Sequence, residues 1–168
     1  MASHHEYVLD LATYQQNAMS NYQRSNMVRP IMLQDKVALS ELLLDAFLAP
    51  QAHNEQNRAS AERDIDNYFA GTVHQPLLDC SWGYWKNEGL AGACLVSYWK
   101  QRQRPLLDCI ATRSVWKCRG VSSIVFRASL ASLIDAGYNE VCAIISQENP
   151  LPRALATRIG FTKVDQLS

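Results

Sequence analysis

Lys117-Cys118-Arg119-Gly120-Val121-Ser122 lies between a β-rich run that ends at Thr112 and an apolar helical run that stops before Gly137. A loop that feeds a helix start exposes unpaired backbone N–H groups and the positive end of the helix macrodipole. A glycine within it lets the backbone come close to a bound group, so the stretch predicts an anion site, a phosphate above all. Ser122 and Ser123 are expected to cap the helix and add hydroxyl donors. Seven basic residues (Lys100, Arg102, Arg104, Arg113, Lys117, Arg119, Arg127) stand against one acid, Asp108, between positions 100 and 127. The stretch is neither a Walker loop nor a dinucleotide fingerprint, because G-x-x-x-x-G-K-S/T and G-x-G-x-x-G are both absent.

Working outward, Leu106 to Thr112, Leu90 to Trp99 and Cys80 to Lys86 read as three antiparallel strands. They are joined by a turn at Asn87-Glu88-Gly89 and another at Gln101 to Arg104. Upstream, Met27 to Leu33 is strand-like, and Pro30 suits an edge. Asp35 is placed to cap a helix carrying Leu39, Leu42, Leu43, Ala46 and Phe47, and a second amphipathic helix presents Ile65, Tyr68 and Phe69. Downstream come a long helix from Ser122 to Ala136, a buried strand from Val141 to Ser146, a short helix from Arg153 to Ile159 and a last strand from Phe161 to Val164. The expected order is β-α-α-β-β-β-α-β-α-β. Residues 1 to 26, with Val8, Leu11, Tyr14, Ala18 and Tyr22 at loosely helical spacing, read as an N-terminal extension, a weak helix or tail on a domain of residues 27 to 168.

The 168 residues suit one core, and 48% hydrophobic with 19% charged residues excludes disorder. Sixteen basic residues balance sixteen acidic ones, so no overall field draws the chain to nucleic acid or to a membrane surface. The five cysteines lack C-x-x-C spacing and read as reduced thiols, which predicts a cytoplasmic protein. Neither a signal peptide nor a membrane span is expected. His53 and His74 lack metal spacing, so no metal site is expected. Trp82, Trp85 and Trp99 read as hairpin packing, with the lining of an acceptor pocket as the other reading.

The element order and the loop resemble the GNAT superfamily of acyl-CoA-dependent N-acyltransferases, whose phosphate loop follows Q/R-x-x-G-x-G/A. Here the pattern is K-x-x-G-x-S, with Ser122 departing from the small third residue. Val28-Arg29-Pro30 followed by Asp35 is similar to the family's opening, and Asn149, Leu155, Gly160 and Phe161 are similar to its closing pattern. The resemblance implies an α+β fold with a mixed, mostly antiparallel sheet, and acetyl-CoA or coenzyme A as cofactor. It places that cofactor on the strand-end backbone at Ile110, Ala111 and Thr112 and on Lys117, Cys118, Arg119, Gly120, Val121, Ser122 and Ser123. Asn149 joins them, with Arg127 near phosphate charge and an oxyanion donor around Ile110.

The implied reaction is direct attack of a primary amine, from a small molecule or a peptide, on the thioester. Asp108, two residues before Ile110 and so expected on its face, is the first candidate for the base, unless it pairs with an arginine of the hairpin; Glu88 is the second. The family's acidic Tyr falls on Ala156, leaving Ser146 or Tyr138 as substitutes. The last strand is expected to leave a sheet edge open, covered by residues 1 to 26 or by a second subunit in a homodimer. The alternative within the fold is a catalytically impaired CoA-binding or protein-interaction module.

Overall fold

The computed structural model describes residues 4–87, 89–146 and 156–164. Its elements are β1 (His4–Asp10), α1 (Leu11–Ala18), β2 (Val28–Pro30), α2 (Lys36–Phe47), α3 (Glu55–Ala70) and β3 (Gln75–Pro76). They continue with β4 (Trp82–Lys86), β5 (Gly89–Trp99), β6 (Arg104–Thr112), α4 (Val121–Asp135), β7 (Glu140–Ser146) and β8 (Thr162–Lys163). One sheet runs β2-β4-β5-β6-β7-β1-β8, with β3 added to β5. All pairings are antiparallel except β6 with β7. This is the mixed, mostly antiparallel α+β architecture expected from the sequence, and Pro30 does lie in an edge strand.

The helices divide between the two faces. Leu39 and Leu42 of α2 and Ile65 of α3 pack with Ile31, Leu95 and Ala111 on one face. On the other, Val125, Leu130 and Leu133 of α4 pack with Cys94, Val96 and Val141. Helix ends follow local chemistry: the Asn54 side chain accepts from the Asn57 amide to start α3, and Gly71 at φ 68° ends it in the left-handed conformation. Between β4 and β3 the edge of β5 is open at Val96. The Ser81 hydroxyl fills it, accepting from the Val96 amide at 2.9 Å, while Tyr68 donates to the Val96 carbonyl at 2.8 Å.

The N-terminal segment differs from the weak helix expected there. Residues 4–10 form a strand that pairs with β7 over its whole length, from His4 with Ser146 to Asp10 with Glu140, and also meets β8. Tyr7 and Leu9 alternate into the core, the period of a strand, and the Asp10 carboxylate accepts from the Thr13 amide at 2.8 Å to turn the chain into α1. Glu6 then ties β1 across β7: it pairs with Arg102 at 3.3 Å and Arg104 at 3.7 Å, and Arg104 also meets Glu140 at 3.2 Å. Of the two covers expected for the open edge, residues 1 to 26 and a second subunit, the first is present: β1 lies between β7 and β8. Strand β8 follows Gly160 and is shorter than expected, and of the helix before it residues 156–159 are described.

Asp35 also departs from its expected role as the cap of α2. It stands at the start of α2 but makes no side-chain cap to that helix, closing instead the 3-10 turn Leu33–Asp35 ahead of it. Its carboxylate takes two hydrogen bonds from Arg29, each 2.8 Å, and one from the Met32 amide, also 2.8 Å. Arg29 in turn lies over the Trp85 ring, 4.1 Å from its centroid. Burial alone would raise the Asp35 pKa, but the Arg29 hydrogen bond, the Met32 amide and the Arg29 charge outweigh it and hold the carboxyl below its ordinary value.

Asp35 is 4% exposed, so Asp35→Asn leaves Arg29 without its charge partner and is expected to lower the unfolding free energy by about 2 to 3 kcal/mol in urea titration at pH 7. Since the folded pKa lies below the unfolded one, this contribution is complete above about pH 5 and is lost as pH falls through the folded value. The wild-type and variant curves should therefore converge in acid.

Candidate functional site

Among the described residues, strands β6 and β7 pair at Leu106 with Cys142 and Leu107 with Ala143, and the pairing does not continue toward Thr112, where the strands part. The divergence begins at a bulge. Leu95 of β5 pairs with Cys109 and the next residue, Val96, pairs with Leu107, so Asp108 is an extra residue in β6. The bulge reverses the alternation. Leu107 and Ile110 pack on the α4 face, Cys109 and Ala111 on the α2–α3 face, and Asp108 opens on that second face. It therefore does not share a face with Ile110 as the two-residue spacing predicts.

The loop before α4 is built from both sides. The Ser114 amide and hydroxyl donate to the Asp45 carboxylate of α2, the amide at 2.7 Å, and a 3-10 turn covers Ser114–Trp116. Cys118 at φ 61° and Gly120 at φ 80° are left-handed, and Gly120 is the N-cap residue of α4. Among the described residues, nothing accepts from the backbone N–H groups of 118–123 before the Ile124 amide reaches the Gly120 carbonyl at 3.1 Å. A Cβ built on Gly120 meets nothing within 4 Å. This is a helix start with free amides and open space in front of it, which is what an anion requires.

The serines do not act as expected. Neither caps the helix: Ser122 Oγ turns inward to share a 2.7 Å hydrogen bond with Thr112 Oγ1, which ties the helix to the end of β6. In that position the Ser122 hydroxyl is drawn away from the open side of the loop. Val121 is buried against Gly92, where a Cβ would lie 2.4 Å from Val121 Cγ1, so only glycine lets α4 sit this close to β5. Lys117 is taken by the Ala46 carbonyl at 3.1 Å and Arg127 by the Ala18 carbonyl at 3.2 Å. Neither carbonyl neutralises its cation, and Arg119 and Lys86 lie on the Trp116 ring at 5.3 and 5.5 Å from its centroid.

On the α2–α3 face beside the bulge is a cavity of about 270 Å³, lined by Asp108, Cys109, Leu95, His74 and Tyr68, with Asp64, Ile65, Asn67 and Val73. The Asp108 carboxyl reaches solvent through this cavity, and the protein around it raises its pKa by desolvation. The Ser97 hydroxyl and His74 act in the opposite direction. Ser97 Oγ is buried without a well-formed hydrogen bond, and so is Nδ1 of His74. Asp108 does not pair with an arginine of the hairpin, since Arg102 and Arg104 are committed to β1 and Glu140. Cys109 is no nucleophile: burial, then Cys94 and Asp108, push its thiol up to about 12.

The other candidates are dispersed. Tyr138 packs near Tyr98 on the α4 side, and Ser146 ends β7 opposite His4. Ala156, at the family's Tyr position, is buried in the core near Phe161. Glu88 and Asn149 lie outside the described residues. None of the tryptophans lines the cavity: Trp82 donates to Ser132 at 2.7 Å, Trp85 lies under Arg29, and Trp99 packs on His74. His74 was weighed in the sequence only as a metal ligand; its one signal for this cavity was position, one residue before the short strand that pairs with Tyr98 and Ser97.

No protein-family model and no curated protein sequence matches the chain. Solved structures do, at low identity. A tandem GNAT protein of the clavulanic acid biosynthesis pathway superposes with TM-score 0.69 at 16% identity, covering 98% of this chain and 51% of that one. A GNAT-family acetyltransferase of Colwellia psychrerythraea gives 0.68 at 13%, covering 98% and 53%. The AAC(6')-Iy enzyme, solved with the bisubstrate analogue CoA-S-monomethyl-acetylneamine, gives 0.59 at 15%, covering 84% and 93%. The chain has the fold of the GNAT N-acetyltransferases. It spans about half the length of several of the proteins it matches.

Gly120→Val places a branched side chain in the left-handed region and in the space before the free amides. It is expected to lower stability by about 1 to 2 kcal/mol and to abolish the thermal shift given by coenzyme A. Loss of stability with an undiminished ligand shift would remove the anion-site assignment.

Proposed function

We propose that the protein is an acetyl-CoA-dependent N-acetyltransferase that acts on a primary amine held in the cavity beside Asp108. The observation that carries this reading is the bulge. It parts β6 from β7 and sets a carboxylate on the side of the sheet where a cavity opens, with the free amides of α4 at the same end of the diverging strands. The GNAT fold, and a CoA analogue bound by one of its structural neighbours, support it.

The residues present fit the cofactor. The α4 amides and the open space at Gly120 suit a pyrophosphate, with Arg119 and Lys86 near its charge, and the unpaired edge of β6 from Ile110 to Thr112 suits an extended amide-bearing arm. Bound there, acetyl-CoA supplies an acetyl thioester whose C–S bond is exchanged for the C–N bond of an amide, the sulfur leaving with the bonding pair. An ammonium gives up two protons on the way to an amide. Asp108 takes the first, freeing the lone pair, and the second neutralises the departing thiolate. With alanine at 156, no side-chain acid is needed beyond water for that last transfer, because a thiolate is a good leaving group. The five free thiols support a reducing, cytoplasmic setting. No helix among the described residues is long and apolar enough to cross a membrane.

Thermal unfolding with acetyl-CoA, coenzyme A, NAD or ATP tests the cofactor. At 100 times its dissociation constant a ligand adds about 2.7 kcal/mol to the folded state, and the shift is expected with the two CoA compounds alone. No shift with either would favour a CoA-independent interaction module on the same fold.

Asp108→Asn is expected to lower kcat/KM by roughly 10²- to 10⁴-fold and to remove the acid limb of its pH profile. In the wild type that limb is moved upward from the position an ordinary Asp would give it, because desolvation raises the folded pKa. For the same reason ionised Asp108 opposes folding: its effect is absent below the unfolded pKa and grows as pH rises through the folded one. Asp108→Asn should therefore melt above wild type at pH 8 while losing activity, and a variant that loses both activity and stability would make Asp108 a structural residue.

A further inference from the structure

We propose that the acceptor is a short α,ω-diamine, held with its reacting nitrogen at Asp108 and its far ammonium at Asp64. The inference rests on the acyl-transfer reading of this cavity and names the substrate class that the cavity fits. Its walls carry two carboxylates and no lysine or arginine. Asp108 comes from the bulge in β6 and Asp64 from α3, so the two carboxylates reach the cavity from different elements, and the apolar Ile65, Val73 and Leu95 line it with them. Two acids from separate elements in a cavity that also has apolar lining complement a molecule with two nitrogens joined by methylenes.

The carboxylates are not spoken for. Asp66, two residues beyond Asp64 on α3, is occupied by Lys36 at 2.9 Å, whereas among the described residues Asp64 has no ion pair and Asp108 none either. A separate observation points the same way. Nδ1 of His74, a lining residue of the cavity, is buried without a hydrogen-bond partner. In the tautomer that carries its proton on Nε2 this atom accepts a hydrogen bond from N–H, and an amine brings several N–H groups to one point. An acceptor that carries a carboxylate next to its amine, such as a free amino acid, would instead set its anion against Asp108 with no cation on the wall to balance it.

The experiment compares putrescine and cadaverine with n-butylamine and n-pentylamine, following release of free thiol from acetyl-CoA. The coenzyme A thermal shift is read on the same protein. The diamines are expected to exceed the matched monoamines in kcat/KM by about fivefold or more, the size of a partly exposed ion pair. Asp64→Asn should bring that ratio close to one, and Asp64→Lys should reverse it. Asp64 is exposed on α3, so both variants are expected to keep the wild-type melting temperature. Equal kcat/KM for diamine and monoamine, a ratio indifferent to Asp64, or no turnover of either diamine would overturn the proposal while a persisting coenzyme A shift leaves the cofactor reading standing. Loss of that shift in the wild type would overturn both.

Discussion

One extra residue in β6 governs this molecule. Without it, β6 would continue in register with β5, Asp108 would point under α4 with Ile110, and β7 would have no reason to part from its neighbour. Inserting a residue adds local twist and bends the strand, so its far half swings away from β7 and leaves a strip of unpaired backbone inside the protein. Such a strip is tolerated only where something polar lies along it. The same insertion turns a carboxylate onto the α2–α3 face, beside a cavity. The cleft between the strands and the acid next to it thus have a single cause, the two-against-one pairing of β6 with β5.

Most of the regular structure was legible because it follows from short-range chemistry. The repeating apolar positions of α2, the glycines that follow α4 and close the β4–β5 hairpin, and the free loop ahead of α4 all depend on neighbours within a few positions. What could not be read depends on pairing. Residues 4–10 are polar enough, and short enough, to pass for the start of a helix, and only β7 and β8 on either side reveal the alternation of Tyr7 and Leu9 as that of a strand. A bulge carries no compositional mark when it falls within an apolar run such as Leu106 to Ala111. The face assigned to Asp108 from its spacing was therefore inverted. His74 was passed over as a cavity residue because it lies in a turn, and its place on the cavity wall comes from β3 docking on the far end of β5.

The charges divide into two kinds. Arg29, Arg102, Arg104, Lys117 and Arg127 are tied to carboxylates or carbonyls of the same chain and hold elements together. Arg119 and Lys86 rest on an aromatic ring instead, a contact that orients a cation without neutralising it. Of the local excess of positive charge around the loop, Arg102 and Arg104 are neutralised by carboxylates, while Lys117, Arg119 and Arg127 keep their charge. Negative charge is sorted in the same way on the other face, where Asp35 and Asp66 are paired and Asp64 and Asp108 are left to the cavity.

The placement of β1 between β7 and β8 has a kinetic side. Tyr7 pairs with Lys163 and Val8 with Thr162, so one seam of the sheet joins the two ends of the described chain. Closing so long a loop is entropically costly before any contact rewards it, and contacts of this range form slowly. The hairpins β4–β5–β6 and the two helices over them have no such requirement. The half of the molecule that holds Asp108 and the cavity can therefore organise early, and the strip formed by β1, β7 and β8 closes last. The same strip would be the first to open, exposing the edge of β7 while the cavity walls persist.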